Sequence, residues 1–220
     1  MKGLFVKDLL LVKNQKRTLP LLLLCGMVMA MSMQTSAAIV YLTVLGTMIS
    51  AGTISYDEMR NGYSFLFTLP VTRKLYVREK YIFSVCFCLV TMVLGLGISF
   101  AVMTAKGTWI SSDADEWISF LAGSFLAASI LMGSMIPVRL KYGTEKGSTA
   151  LYLVYGILAA VVLAVIKGRD FLPDHVFKHI TTFFSGISSR MILPCIVLFS
   201  VMLLLASEKV SERFVLKKEY

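Results

Sequence analysis

Apolar stretches long enough to cross a lipid bilayer alternate along this 220-residue chain with short polar segments that hold its charge. A spanning helix needs about 20 mostly apolar residues to cover roughly 30 Å of hydrocarbon. Five uncharged runs meet or approach that length. The first, residues 19–56, is 38 residues long. As one helix it would extend about 57 Å at 1.5 Å per residue, too far for a single crossing. The polar interruption Gln34-Thr35-Ser36 instead predicts two short spans joined by a tight hairpin. The remaining runs are 81–105, 117–138, 147–166 and 191–207. The pattern predicts an all-α, polytopic membrane protein: six transmembrane helices in a single domain over residues 1–220.

Composition agrees. Hydrophobic residues make up 57% of the chain and charged residues 16%, and mean hydropathy is +0.77. Soluble domains carry roughly 45–50% apolar and about 25% charged residues. Alternating the six spans divides Lys and Arg 17 to 5 between the two sides, with 8 and 5 acids, so the whole net charge of +9 falls on one side. Basic residues favour the cytoplasm, which places both termini there. Because they flank membrane ends, anionic headgroups explain them better than nucleic acid, and no nucleic-acid partner is expected. The basic start runs to Arg17 and no A-x-A-like site follows a brief apolar core, so a cleaved signal peptide is not expected. Cys25, Cys86, Cys88 and Cys195 all lie in apolar runs and read as small hydrophobes rather than disulfide partners.

Several chemistries lack their residues. The apolar runs contain no Asp, Glu, Lys, Arg or His, whereas gradient-driven transporters usually keep ionisable groups at membrane depth. Gly143-Thr144-Glu145-Lys146-Gly147-Ser148 lacks the order and spacing of a phosphate-binding loop, so the chain is not expected to bind or hydrolyse ATP. His175 and His179 share a helical face, but the HExxH motif needs Glu where Val176 stands; two ordinary histidines of a surface helix are expected, and no metal site.

The polar segments carry more. Residues 1–18 read as an interfacial helix, with Phe5, Val6, Leu9, Leu10 and Val12 on one broad face and Lys7, Asp8, Asn14 and Gln15 roughly opposite; Leu4 and Leu11 interrupt the polar side. Residues 56–80 contain a short stretch in which Tyr63, Leu66, Phe67 and Pro70 lie near one side after Glu58. Pro70 ends it, and Thr72 caps the helix that rises through Arg73 and Lys80. An exposed aromatic helix framed by charges suits docking into a protein groove. Residues 167–190 hold a further amphipathic stretch on the outer side, with Val176, Phe177, Ile180, Phe183 and Phe184 at helical spacing. Gly46/Ser50 and Gly123/Ala127 are small-x-x-x-small pairs that permit close helix approach.

The segment Asp57-Glu58-x-x-Asn61-Gly62, followed by Thr68-Leu69-Pro70-Val71-Thr72-Arg73-Lys74 and Lys80-Tyr81, resembles the signature of type-2 ATP-binding-cassette transporter permeases. The layout also resembles the small six-span subset that includes exporters of phenol-soluble modulins and related peptides. That resemblance implies a multi-pass protein of a bacterial cytoplasmic membrane, with a cytoplasmic coupling helix between spans two and three. The helix would dock on a separate ATPase subunit that binds ATP and Mg, and a second permease copy would complete the path. The permease itself would hold no cofactor and no catalytic residue. Glu58, Asn61, Tyr63, Phe65, Leu66, Phe67 and Pro70 are the expected coupling contacts. Amphipathic, cytolytic or antimicrobial peptides are the expected cargo. An exporter of lipids or small drugs, or a channel or other non-transport membrane protein, is the alternative.

Overall fold

A computed structural model of the chain describes residues 2–16, 18–32, 36–58, 72–107, 114–168 and 189–217. Every regular element among them is a helix: α1 Lys2–Asn14, α2 Thr18–Ser32, α3 Ala37–Glu58, α4 Arg73–Lys106, α5 Ala114–Gly168 and α6 Ser189–Lys217. Among the described residues, four helical stretches are long and apolar enough to cross a membrane: Ala37–Glu58, Arg73–Lys106, Trp117–Gly143 and Leu193–Leu216. Thr18–Ser32 is a shorter apolar helix, as the 15 residues before the polar Gln34-Thr35-Ser36 interruption require. The expected span over 147–166 lies within the second half of α5.

α3 is the middle of the bundle, packed on α4 and α5, while α5 and α4 both pack on α6. Close approach there comes from missing side chains. A Cβ on Gly46 would stand 2.8 Å from Thr91 Cβ, and one on Gly95 would stand 2.8 Å from Ile39 Cα, so both glycines hold α3 and α4 together. Gly123 has nothing within 4 Å of a Cβ, so the second small-residue pair makes no such contact. Ala51, Ile54, Tyr76, Val77, Met132, Ile136, Leu140 and Val215 form the buried core between these helices. Buried hydroxyls on α3 turn back on their own helix: Thr47 donates to the Thr43 carbonyl at 2.6 Å and Ser50 to the Thr47 carbonyl at 2.9 Å.

α5 holds one internal proline and one break. Pro137 removes the N–H that would bond the Gly133 carbonyl one turn back. Ser207 of α6 donates to that carbonyl instead, at 2.8 Å. Gly143 has φ 78° and ψ −175°, a conformation L-residues rarely adopt, and there the helix breaks and changes course. All four cysteines are free.

Candidate functional site

α4 is 34 residues long, about 51 Å, and its apolar run starts only at Tyr81. Its first two turns, residues 73–80, carry charge. Thr72 starts the helix as expected: its hydroxyl accepts the Leu75 N–H at 3.3 Å and its carbonyl accepts the Tyr76 N–H at 3.1 Å. On the chain before the loop, α3 runs on to Asp57 and Glu58. Both flanks of segment 59–71 are therefore helical extensions of α3 and α4.

These extensions meet around a buried set of charges supplied by three helices. Asp57 of α3 accepts hydrogen bonds from Lys7 of α1 at 2.6 Å and from Tyr76 of α4 at 2.9 Å. Its second oxygen lies 2.7 Å from the Lys80 ammonium. Lys80 also donates to Asp8 of α1 and, at 3.2 Å, to Thr53 of α3. Lys7 bridges back to Asp8 at 3.3 Å. Asp8 is fully buried, Lys80 is 1% exposed and Asp57 6%. Two ammonium groups thus face three carboxylates, since Glu79 is buried beside them, with no hydrogen bond to either of its oxygens among the described residues. Burial alone would lower the Lys7 pKa; the Asp57 carboxylate, and after it Asp8, outweigh burial and raise it above its ordinary value.

The structure departs from the wheel reading of α1 at Val12, which is buried rather than on the exposed apolar face. Leu4, Asp8 and Val12, one turn apart, form the buried stripe of α1. Val6, Leu9 and Leu10 keep an exposed apolar face, each more than half accessible. Phe5 packs edge-on against Phe83 of α4 at 5.3 Å between ring centroids. The interruption at Leu4 was the sequence signal of the inward stripe.

Further ties fix the same end of the molecule. Glu58 lies against Gly143, where a Cβ would stand 3.1 Å from the Glu58 carboxyl carbon. Arg73 Nη1 donates to the carbonyls of Val215 and Leu216 in the last turn of α6, at 3.4 and 3.3 Å. Tyr81 shares its hydroxyl with Ser207 and Ser211 of α6 at 2.6 and 2.8 Å. Of the expected coupling residues, Glu58 is described; Asn61, Tyr63, Phe65, Leu66, Phe67 and Pro70 lie outside the described residues, as do His175 and His179. Lys7, Asp8, Thr53, Tyr76 and Lys80 were not anticipated as one site.

The chemistry of the arrangement is that of charge pairing. The cluster holds ammonium and carboxylate groups in mutual contact where one displaced partner leaves another buried and unpaired. Comparison with known proteins gives no match among curated proteins and none among solved structures. A family model described as ABC-2 family transporter protein matches residues 3–215, nearly the whole sequence. With its apolar helices long enough to cross a membrane, this chain belongs to the ABC-2 transporter family.

Proposed function

We propose that the chain is the membrane-spanning permease subunit of an ATP-driven exporter, with six spans and both termini in the cytoplasm. It works as a pair of permeases with two copies of a separate ATPase, which binds ATP and Mg. The observation that carries this reading is the charge cluster. It ties both flanks of segment 59–71 to α1, through Asp57 on one side and Lys80 on the other, and Tyr76 joins the two flanks by its bond to Asp57. A pull on that segment therefore moves three helices together. Segment 59–71 holds the aromatic docking residues, and Glu58 links its start to the break at Gly143. Closure of the ATPases on Glu58, Asn61, Tyr63, Phe65, Leu66, Phe67 and Pro70 shifts the path between the permeases from inward- to outward-open.

The test is to replace Glu58 and Phe67 with Ala. Truncating an interface anchor costs about 2 kcal/mol, roughly 30-fold in affinity. The variant is expected to reach the membrane in normal amount and to lose copurification with its ATPase. Full ATPase retention would remove this segment from the interface.

For cargo, we infer amphipathic peptides of the kind carried by the small six-span exporters. Uncharged spans offer no fixed partner to a small ionic solute. Met27, Met31 and Phe100 present soft or aromatic surface outside the core, which can repack around varied apolar faces. Phe83 belongs to the core instead, 1% exposed. ATP-dependent uptake of an amphipathic helical peptide into inverted vesicles is the expected result. Movement of a lipid or small drug without any peptide would favour the second reading, an exporter of those compounds.

A further inference from the structure

An open groove of about 440 Å³ runs between α2 and α3, at the end of the molecule that holds the charge cluster. Its body is apolar, with Leu21, Leu22, Leu45 and Met48 among its walls. At one end stand Gln15, Ser55 and Tyr56, where Gln15 Nε2 donates to the Tyr56 hydroxyl at 3.1 Å. No carboxylate lines it. Leu21 is 64% exposed and Met48 39%, so the groove opens on the apolar surface that meets lipid.

A cation stands at its polar end. Arg139 of α5 donates through Nη1 to Ser55 Oγ at 3.0 Å and to the Ala51 carbonyl at 3.2 Å. Among the described residues that guanidinium has no carboxylate partner, and its remaining donors make no hydrogen bond. Gly52 also lines the groove, and a Cβ there would stand 3.8 Å from Arg139 Nη1. Arg139 is not itself a lining residue; it borders the groove through Ser55, beside Gly52. Lys16, exposed beside Gln15, adds a second positive charge near the same end.

We propose that this groove binds one anionic phospholipid, with an acyl chain against α2 and α3 and its phosphate at Arg139. The charge selects the occupant. A half-buried guanidinium with no acid beside it among the described residues is satisfied by a phosphate diester, which its planar fork engages through two donors at once. Basic sites between membrane helices recognise headgroups in this way. The volume is that of a small-molecule site. The proposal is independent of which cargo the protein moves.

Native mass spectrometry of the full chain, released from nanodiscs of equal phosphatidylglycerol and phosphatidylcholine, reads it out. Wild-type protein should retain one phosphatidylglycerol per copy, enriched about fivefold over phosphatidylcholine, the effect expected of one basic contact. Arg139→Gln should bring the two lipids to parity. Gly52→Leu, which fills the space beside Arg139 and leaves Arg139 in place, should do the same. Gly97→Leu is the control, because a Cβ there meets nothing within 4 Å and Gly97 lines no part of the groove; it should keep the enrichment. Parity in the wild type, or enrichment that survives Gly52→Leu, would overturn the proposal. So would efficient disulfide formation between two copies carrying Met48→Cys, because a second permease would then cover the groove.

Discussion

Lys80 stands at the centre of the charge cluster, paired with a carboxylate on each of two other helices. It is 1% exposed and holds Asp8 and Asp57 together. Lys80→Ala leaves the three buried carboxylates of Asp8, Asp57 and Glu79 with Lys7 alone to compensate them. Losing one partner of a buried pair costs about 3–5 kcal/mol. Thermal unfolding in detergent should show a loss of that size, and Lys7→Ala a smaller one because Lys7 is partly exposed. The pH dependence of Lys7 has a definite sign. Its folded-state pKa is raised above 10.5, so its contribution is whole below that value and is lost as pH rises through the folded pKa. Release of α1, followed by limited proteolysis of the N-terminal segment, should have an alkaline step that Lys7→Met abolishes. Unchanged alkaline release in Lys7→Met would disconnect Lys7 from the docking of α1. The sequence displayed Lys7 and Asp8 on one face but could not say which way that face turned. Its partners, Asp57 and Lys80, lie 50 residues from Lys7 and 72 from Asp8. Only the tertiary fold brings them within hydrogen-bond reach.

At the scale of elements, helix existence was legible where a local rule sufficed. The Thr72 cap, the helix beyond it and the division of 19–56 into two helices follow from residues within a few positions. The course of α5 did not, because Pro137 and Gly143 act together with distant partners. Ser207 serves both the Gly133 carbonyl and the Tyr81 hydroxyl. Ser207→Ala should therefore destabilise by about 1–3 kcal/mol, the cost of a buried group left unpaired. Ser211→Ala should cost less, since Tyr81 keeps Ser207. At Gly143, alanine would impose about 1–3 kcal/mol of backbone strain and press its Cβ on Glu58. In a double-mutant cycle, Glu58→Ala should relieve part of the Gly143→Ala penalty. Strict additivity would mean that the two residues do not bear on each other.

For the whole molecule, family membership is shown, four helical stretches among the described residues are long and apolar enough to cross a membrane, and the orientation rests on charge. The 17-to-5 division of Lys and Arg predicts that Asp113 and Asp174, replaced by single cysteines in a cysteine-free protein, react with an impermeant thiol reagent in intact cells. A cysteine at Asn61 should react only after lysis; labelling of Asn61 in sealed cells would reverse the topology. The central claim is that the charge cluster carries motion from segment 59–71 into the bundle. It is tested most directly in proteoliposomes containing the permease with its ATPase, by measuring cargo moved per ATP hydrolysed. The substitution to compare is the neutral pair Asp57→Asn with Lys80→Met, which removes one charge of each sign. The account predicts that the pair keeps its ATPase and continues to hydrolyse ATP, while cargo moved per ATP falls at least about tenfold, equivalent to about 1.4 kcal/mol of lost coupling. Wild-type transport per ATP in a correctly inserted variant would contradict it.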